Sequence, residues 1–444
     1  MGSLPTSDPN IIRLEPFVAA TGKFEYPELK LSTEDAPHHS VTRRSKHVLI
    51  LGAGVSGLMV AWILLDKGYR VTVIADDWAW NRDFSKSRMT SQIAGALWEF
   101  PPGGCGMTEI EDTNDGWAKI MTDLHQFFYD NVVSQGDDEE SKKLRELQEV
   151  SDKHADFKLG IKRYDSAQKI TAKFPNVNNK GENRQQFTSA YTHRAPILNT
   201  DKAMAYLMAL VTAKGANLET RKFDPKVVGS IKQFGEQLLK DHGADAIVNA
   251  TGLGAKELAE DNDVYPARGA VKRIDNTRTG QFRHLNDAYL VPAQRDALGH
   301  AIKTIFIVPR SDDVLYVGSI IQPNIYDKVL TPDSPEVQVM WNRAGEFMPK
   351  LLAAGPVPSF PFAQGLRPFT KRNAKVRADE ETKFPVVHNY GHGGSGWTLG
   401  IGTARTAVAI VEALLGIAPD GASVTPVGAK EVNEKIYGKR VEKS

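Results

Sequence analysis

The run Gly52-Ala53-Gly54-Val55-Ser56-Gly57 sets three glycines where each answers a separate physical demand. Gly52 permits a tight turn after a strand, Gly54 lets main chain approach a pyrophosphate, and Gly57 lets the following helix pack close to that strand. Ala53, Val55 and Ser56 fill the turn, so unpaired N–H groups and the positive end of the helix dipole face one point. Asp76 follows Gly57 by 19 residues, near the offset of about 20 at which a carboxylate receives ribose hydroxyls, and Asp77 stands beside it. Together these residues predict a site for an adenine dinucleotide.

A second run, Gly391-His392-Gly393-Gly394-Ser395-Gly396, leads into Trp397 and Thr398; six of the twelve residues 391–402 are glycine. Successive N–H groups pointing one way form a concavity for negative charge, whether a phosphate or charge developed in a reaction. Ser395 is not in a nucleophile elbow, because Trp397 stands where G-x-S-x-G needs glycine. His388 and His392 are four apart, but no glutamate lies between them in a zincin pattern and neither is expected on a helix, so no metal site is expected. Thr90-Ser91 followed by Ala96-Leu97-Trp98 combines hydroxyls and small residues suited to phosphate and a flat ring; its pattern is a loop entering a strand. Thr251-Gly252 ends a further apolar run. Arg367, in Gly365-Leu366-Arg367-Pro368, follows a turn glycine and could hold a carboxylate with its forked guanidinium; an ordinary surface arginine is the other reading.

Positioning these residues requires strands and helices in alternation. Val48–Leu51 reads as a buried strand, Leu58–Lys67 as a helix ended by Gly68, and Val71–Ala75 as a second strand, a βαβ unit. Lys202–Lys214 reads as a helix capped by Asn199, Thr200 or Asp201. Ala244–Ala250 and Pro385–Tyr390 read as strands, Thr304–Val308 and Val314–Val317 as β-rich, and Thr403–Leu415 as an apolar helix closed by Gly416. The spacing of Trp117, Ile120, Met121, Leu124, Phe127, Phe128 and Val132 predicts an amphipathic helix. Residues 137–153 hold 11 charges in 17 positions and read as a solvated helix or surface insertion. Residues 1–46 are proline-rich and read as an N-terminal arm, partly disordered.

Nucleotide elements near the start, middle and end of the chain imply an α/β fold whose Rossmann-type domain is assembled from residues 47–110, 196–264 and 364–428. Residues 111–195 and 265–363 would form an α+β substrate domain on a mixed β-sheet, and 429–444 a C-terminal tail. Composition narrows the function classes. Lys and Arg number 55 against 54 Asp and Glu in 444 residues, a net charge of +1, so no overall field favours nucleic acid or an anionic membrane. The single cysteine, Cys105, excludes an intramolecular disulfide and any zinc site of several thiolates, and suits a reducing compartment. Val48–Leu65 is 18 residues without charge, at the edge of a membrane span, but its glycine spacing fits strand, turn and helix better.

Seven segments in order resemble the D-amino-acid oxidase and D-aspartate oxidase family of flavoproteins. They are VLILGAGVSGL at 48–58, IAGALW at 93–98, IVNATGLGA at 247–255, YPARGAVKRID at 265–275, GSIIQ at 318–322, GLRP at 365–368 and HNYGHGGSGWTLGIG at 388–402. The resemblance implies a two-domain, often homodimeric oxidase with non-covalent FAD, a carboxylate-bearing amine as substrate and dioxygen as acceptor. By motif, Gly52–Gly57 would meet the pyrophosphate, Asp76 the ribose, Thr90 and Ser91 phosphate, and Ala96–Trp98 the isoalloxazine. Main chain at Phe223, in the strand after Gly215, would meet the adenine, and Gly394–Thr398 the flavin pyrimidine. Arg367 becomes the group that binds the substrate carboxylate, with Phe306 and Ser395 beside it. The family's reaction moves a hydride from the substrate Cα to the flavin, and water hydrolyses the resulting imino acid to a keto acid and ammonia. Reoxidation by dioxygen yields peroxide. No side-chain acid or base is compulsory if the amine enters neutral.

Three positions depart from the family pattern. The tyrosine of its Y-I-I-P segment is replaced in Phe306-Ile307-Val308-Pro309, and a second pocket tyrosine falls on Ile302. The chain closes on Val441-Glu442-Lys443-Ser444 rather than Ser-Lys-Leu, which favours the cytoplasm over the peroxisome. Phe306 and Ile302 shift the expectation from small D-amino acids toward apolar or bulky amines, and Tyr289 is the candidate to restore a hydroxyl. The alternatives are a flavin-binding protein without oxidase turnover, an oxidase of a specialised secondary-metabolite amine, and an NAD dehydrogenase.

Overall fold

A strand that is apolar along its whole length can be buried on both faces only if helices cover both, which is the condition for a parallel sheet. His47–Leu51 and Ala246–Asn249, apolar but for His47 and Asn249, are buried along their whole length and Arg70–Ala75 nearly so in the computed structural model. They sit in a six-stranded sheet of spatial order 217–220, 70–75, 47–51, 246–249, 386–390, 375–378. Every neighbouring pair is parallel except the last, where Lys375–Ala378 runs against Val386–Tyr390. Helices Val55–Asp66, Thr200–Ala213 and Gly396–Leu415 pack on one face and Ile231–His242 on the other. The structure describes residues 10–14, 16–19, 21–80, 88–95, 97, 129–135, 162–180, 186–277, 285–291, 294–295, 301–302, 304–310, 313–371, 374–418 and 421–439.

The helix ends follow local chemistry. Asn199 caps Thr200–Ala213 by accepting from the Lys202 N–H, and Gly416, at φ 64°, ends the long C-terminal helix. Two helices begin earlier than periodicity suggested, at Val55 and Gly396, because the glycine turns themselves supply the first helical residues. Gly396–Leu415 is also the one described helix long and apolar enough to cross a membrane, and 78% of its most apolar window is buried inside the fold.

The second layer is a nine-stranded mixed sheet. Its order is 322–323, 264–275, 314–318, 305–309, 288–291, 129–135, 190–196, 162–164, with Phe362–Thr370 also paired to Val264–Asp275. One pair, 129–135 with 288–291, is parallel and the rest are antiparallel. Helix Pro335–Phe347 closes its core on Ile307, Leu315 and Val317.

Several expectations change here. The strand bearing Arg367 belongs to this second sheet and not to the dinucleotide sheet, so the boundary expected at 364 falls after Thr370. The expected tail contains a helix, Ala429–Tyr437, whose buried Val432 and Ile436 join the first core. Val132 lies in strand Tyr129–Gln135 rather than a helix; the rest of that amphipathic pattern, residues 137–153, Ala96, Trp98 and Cys105 lie outside the described residues. The arm is ordered where it is described: Ile11–Leu14 pairs antiparallel with Leu29–Ser32, and Leu14 and Leu31 are fully buried. Its anchor is Asp66, wholly buried, which accepts from the Ser32 and His38 N–H groups, from Trp62 Nε1 and from Lys214 Nζ at 2.7–3.0 Å. A buried carboxylate needs that many donors to offset its lost hydration, and proline-rich composition gave no sign of it.

Candidate active site

The parallel strands end at one edge, where ligands bind in open α/β sheets. A cavity of about 790 Å³ opens there and runs between the two sheets, well within the range of roughly 300–1,000 Å³ usual for small-molecule sites. Gly52–Ser56 of the first glycine run and all of Gly391–Gly396 line it, as do Asp76, Asp77, Thr90, Ser91, Leu97, Phe223, Thr251, Gly252, Phe306 and Arg367.

The first glycine run fits a dinucleotide by close approach. Gly52 has φ 107°, and a Cβ there would stand 2.4 Å from the Ala250 carbonyl oxygen; at Gly57 it would stand 2.0 Å from the Gly52 oxygen. Gly52 and Gly57 therefore admit no side chain, which lets the turn close against its strand and brings main chain to the cavity edge. The Val55 N–H, at the start of its helix, donates to Ser91 Oγ at 3.1 Å, which fixes that hydroxyl against the first glycine turn. Thr90 and Ser91 open a short helix, Thr90–Ile93, instead of the loop expected. Thr90 Oγ1 donates to the Leu366 carbonyl, and the Trp397 indole N–H donates to the Ser91 carbonyl at 2.9 Å, so this helix ties the second sheet to helix Gly396–Leu415, which packs on the first.

At the other end Asp76 is exposed, with Lys222 Nζ 3.9 Å away, and Asp77 accepts from the Trp78 N–H. Phe223 lies past the end of its expected strand, which stops at Thr220; it stacks on Phe234 at 4.8 Å and carries the Arg221 guanidinium over its ring. Thr251 is held by Asn249, whose Oδ1 receives its hydroxyl at 2.7 Å.

Arg367 occupies the opposite wall. Its Nη1 donates to the Ile320 carbonyl at 3.1 Å and Nη2 to Ser319 Oγ at 3.0 Å. The guanidinium lies over Gly269, where a Cβ would meet Nη1 at 2.2 Å. Neither Ser319 nor Gly269 was singled out from sequence, although both fall inside segments that were; register brings them together, since Gly269 pairs with Gly365 two residues before the arginine. Phe306 faces the cavity with its ring tip against Gly95. Tyr289 does not reach in. It is buried on the other side of its strand against Phe174 and Phe347, and its neighbour Leu290, paired with Phe306, lines the cavity instead. Ile302 stands in a separate two-stranded ribbon with Gln294–Arg295.

His392 is the titratable ring of the second glycine run, and it is buried. Its Nε2 faces Thr403 Oγ1 at 3.1 Å, and since that hydroxyl donates to the Gly400 carbonyl, Nε2 carries the proton. Nδ1 then accepts from Ser56 Oγ at 3.4 Å. Burial lowers its pKa to about 4, so it is neutral near pH 7. Tyr265, also on the wall, has its pKa raised by burial and stays protonated. His388 is paired with Asp379 at 3.1 Å, and no cluster of metal-ligating side chains occurs among the described residues.

The model of the FAD-dependent oxidoreductase family named DAO matches residues 47–410. The chain is 28% identical to the D-amino-acid oxidase of Schizosaccharomyces pombe over 380 residues, covering 82% of this chain and 96% of that one. It is 26% identical to the D-amino-acid oxidase of Rubrobacter xylanophilus over 382 residues, covering 83% and 96%. Among solved structures, the FAD-bound L-alpha-glycerophosphate oxidase of Mycoplasma pneumoniae has a TM-score of 0.59 at 16% identity, covering 86% of this chain and 99% of that one. Glycine oxidase from Geobacillus kaustophilus also gives 0.59 at 16% identity, covering 83% and 95%. At those identities the structures establish the fold.

Proposed function

The chain belongs to the DAO family of FAD-dependent oxidoreductases, and from that premise we propose that it oxidatively deaminates a D-amino acid or a related carboxylate-bearing amine. The observation that carries this reading is Arg367, held over Gly269 by Ser319 and Ile320 on the wall of the cavity that both glycine runs line. A fixed guanidinium in a half-buried pocket is a receptor for a planar carboxylate. Because its donors to Ser319 and Ile320 fix the plane, the substrate would enter with one orientation, and orientation is a large part of the rate.

Gly52–Gly57, Asp76, Thr90, Ser91, Leu97, Phe223, Thr251, Gly252 and Gly394–Thr398 are the residues we assign to FAD, which when bound accepts a hydride from the substrate and returns the electrons to dioxygen as peroxide. The second glycine run and the N-terminus of Gly396–Leu415 offer aligned donors for negative charge on that group. Leu97, Leu290, Phe306 and Ile321 wall the pocket with apolar surface, exclude water from the reacting face and receive the substrate side chain. None of the titratable rings on the wall takes a proton from the amine: His392 is neutral with both nitrogens engaged, Tyr265 keeps its proton, and Tyr390 keeps its own, donated to Asp261. The amine must therefore arrive neutral, and water completes hydrolysis of the imino acid. Homodimer formation and a reducing, cytoplasmic setting belong to the same proposal, the latter supported by one cysteine in 444 residues.

The test is anaerobic mixing of the yellow protein with D- and L-amino acids and N-substituted glycines, followed by a peroxide assay in air. Bleaching near 450 nm by D-amino acids with apolar side chains, and peroxide on aeration, is the expected result. Flavin that no carboxylate-bearing amine bleaches would leave a binding protein without turnover.

A further inference from the structure

Asn389 is fully buried, and neither its side-chain nitrogen nor its oxygen has a hydrogen-bond partner among the described residues. The arginines that share one orphaned nitrogen each keep other contacts: Arg88 with Asp201, Arg273 with two carbonyls, Arg310 with the Leu198 and Ala94 carbonyls, Arg377 with the Tyr437 ring and Arg405 with the Pro27 carbonyl. Asn389 has neither. A carboxamide that leaves water without recovering a donor and an acceptor is costly, so native folds rarely keep one unless a ligand or ordered water completes it.

Its place says which ligand. Asn389 is the fourth residue of strand Val386–Tyr390, paired with Val376, and alternation puts it on the face of Val387, within the core shared with helices Val55–Asp66 and Gly396–Leu415. Those neighbours are apolar and offer it nothing. In the adjoining parallel strand the last register pair is Asn249 with His388, so Ala250, whose carbonyl oxygen abuts Gly52, lies next to Asn389. Asn389 also lines the cavity, two residues before Gly391. It thus sits between the two glycine turns, at the C-terminal edge of the sheet and under two helix N-termini. The polar side chain on the preceding residue, His388, is satisfied by Asp379 and Asn249 and faces away.

We propose that the Asn389 carboxamide is a cofactor-binding group, its N–H donating to, and its oxygen accepting from, the phosphate and hydroxyl segment of FAD, directly or through one buried water. The proposal rests on the FAD assignment above. A phosphate oxygen can take the N–H but has nothing to donate, so a hydroxyl of the cofactor's polyol or a water must complete the oxygen. This makes Asn389 more than a filler of the core: its orphaned state in the fold alone is the counterpart of a contact made when the dinucleotide is seated.

The two contributions have opposite signs, which gives the test. FAD affinity and thermal stability are measured on full-length wild type, Asn389→Leu and Asn389→Asp, each with FAD removed and restored. Asn389→Leu, which keeps the same branched heavy-atom skeleton but is apolar, is expected to bind FAD at least tenfold more weakly while its FAD-free form melts no lower than wild type. Asn389→Asp, folded in the same way, is expected to lose affinity progressively as pH rises and its carboxylate charges near the pyrophosphate, a dependence wild type lacks. FAD affinity within twofold of wild type in the Leu variant, or a flat pH profile in the Asp variant, overturns the proposal. Failure of wild type itself to bind FAD would instead overturn the cofactor assignment. Direct contact and a bridging water separate in a high-resolution structure with FAD bound.

Discussion

At the scale of single residues, Arg367 carries the largest expected effect. Arg367→Met leaves a substrate carboxylate unpaired in a half-dry pocket, and kcat/KM should fall by about 3–5 kcal/mol. Arg367→Lys should restore part of that, since an ammonium cannot span both carboxylate oxygens while also reaching Ser319 and Ile320. Steady-state kinetics on one apolar D-amino acid decides it, and near-normal rates in the Met variant would remove the carboxylate from the reading. Phe306 is more constrained than its sequence position suggested. A Cβ on Gly95 would lie 2.4 Å from the ring tip, so the hydroxyl added by Phe306→Tyr meets that glycine unless the ring turns. The gain of about 0.5–1.5 kcal/mol from one new hydrogen bond is therefore partly spent in turning the ring. D-alanine turnover should rise by a few-fold at most; a larger rise would mean the ring turns freely.

His392 sets an acid limit at the same scale. The unfolded chain protonates an imidazole near pH 6.5, whereas the folded one resists to about pH 4. Between those values the unfolded state binds more protons, so stability falls as pH drops, by about 3 kcal/mol in all at roughly 1.4 kcal/mol per unit. Denaturant melts between pH 7 and 4 should show this slope in wild type and a shallower one in His392→Asn. Equal slopes would place the acid sensitivity elsewhere.

At the scale of elements, the N-terminal arm is fastened through a single carboxylate. Asp66→Ala removes the partner of Lys214, which is itself wholly buried, and frees the Ser32 and His38 N–H groups. Breaking a buried pair from one side costs about 3–5 kcal/mol. The expected readout is a lower unfolding midpoint together with early proteolysis between residues 10 and 46. A variant that melts like wild type would show that the arm's strand pairing, Ile11–Leu14 with Leu29–Ser32, holds by itself.

At the scale of the molecule, the cavity is walled by both sheets, so cofactor and fold stabilise each other. FAD at 100 times its dissociation constant should add about 2.7 kcal/mol, seen as a higher unfolding temperature in excess FAD. No cysteine is among the cavity-lining residues, and the buried His392 ring has both nitrogens engaged, so acid precipitation should release the flavin into the supernatant; flavin retained on the pellet would mean a covalent link.

The sequence alone determined the glycine turns, the strands beside them, the carboxylate at Asp76 and the family resemblance, because each is encoded by neighbours within a few residues and by steric rules that local sequence obeys. It could not place Tyr289 or Ser319. Alternation along a strand settles only that one of Tyr289 and Leu290 faces the cavity, and the core around Phe174 and Phe347 chose the tyrosine. Ser319 reaches Arg367 across 48 residues of chain through the strand Val264–Asp275, which pairs with both segments. The ordered arm, the sheet to which Arg367 belongs and the orphaned carboxamide of Asn389 are likewise long-range outcomes: they depend on which surfaces meet, and meeting is decided by the burial of whole faces rather than by any one segment.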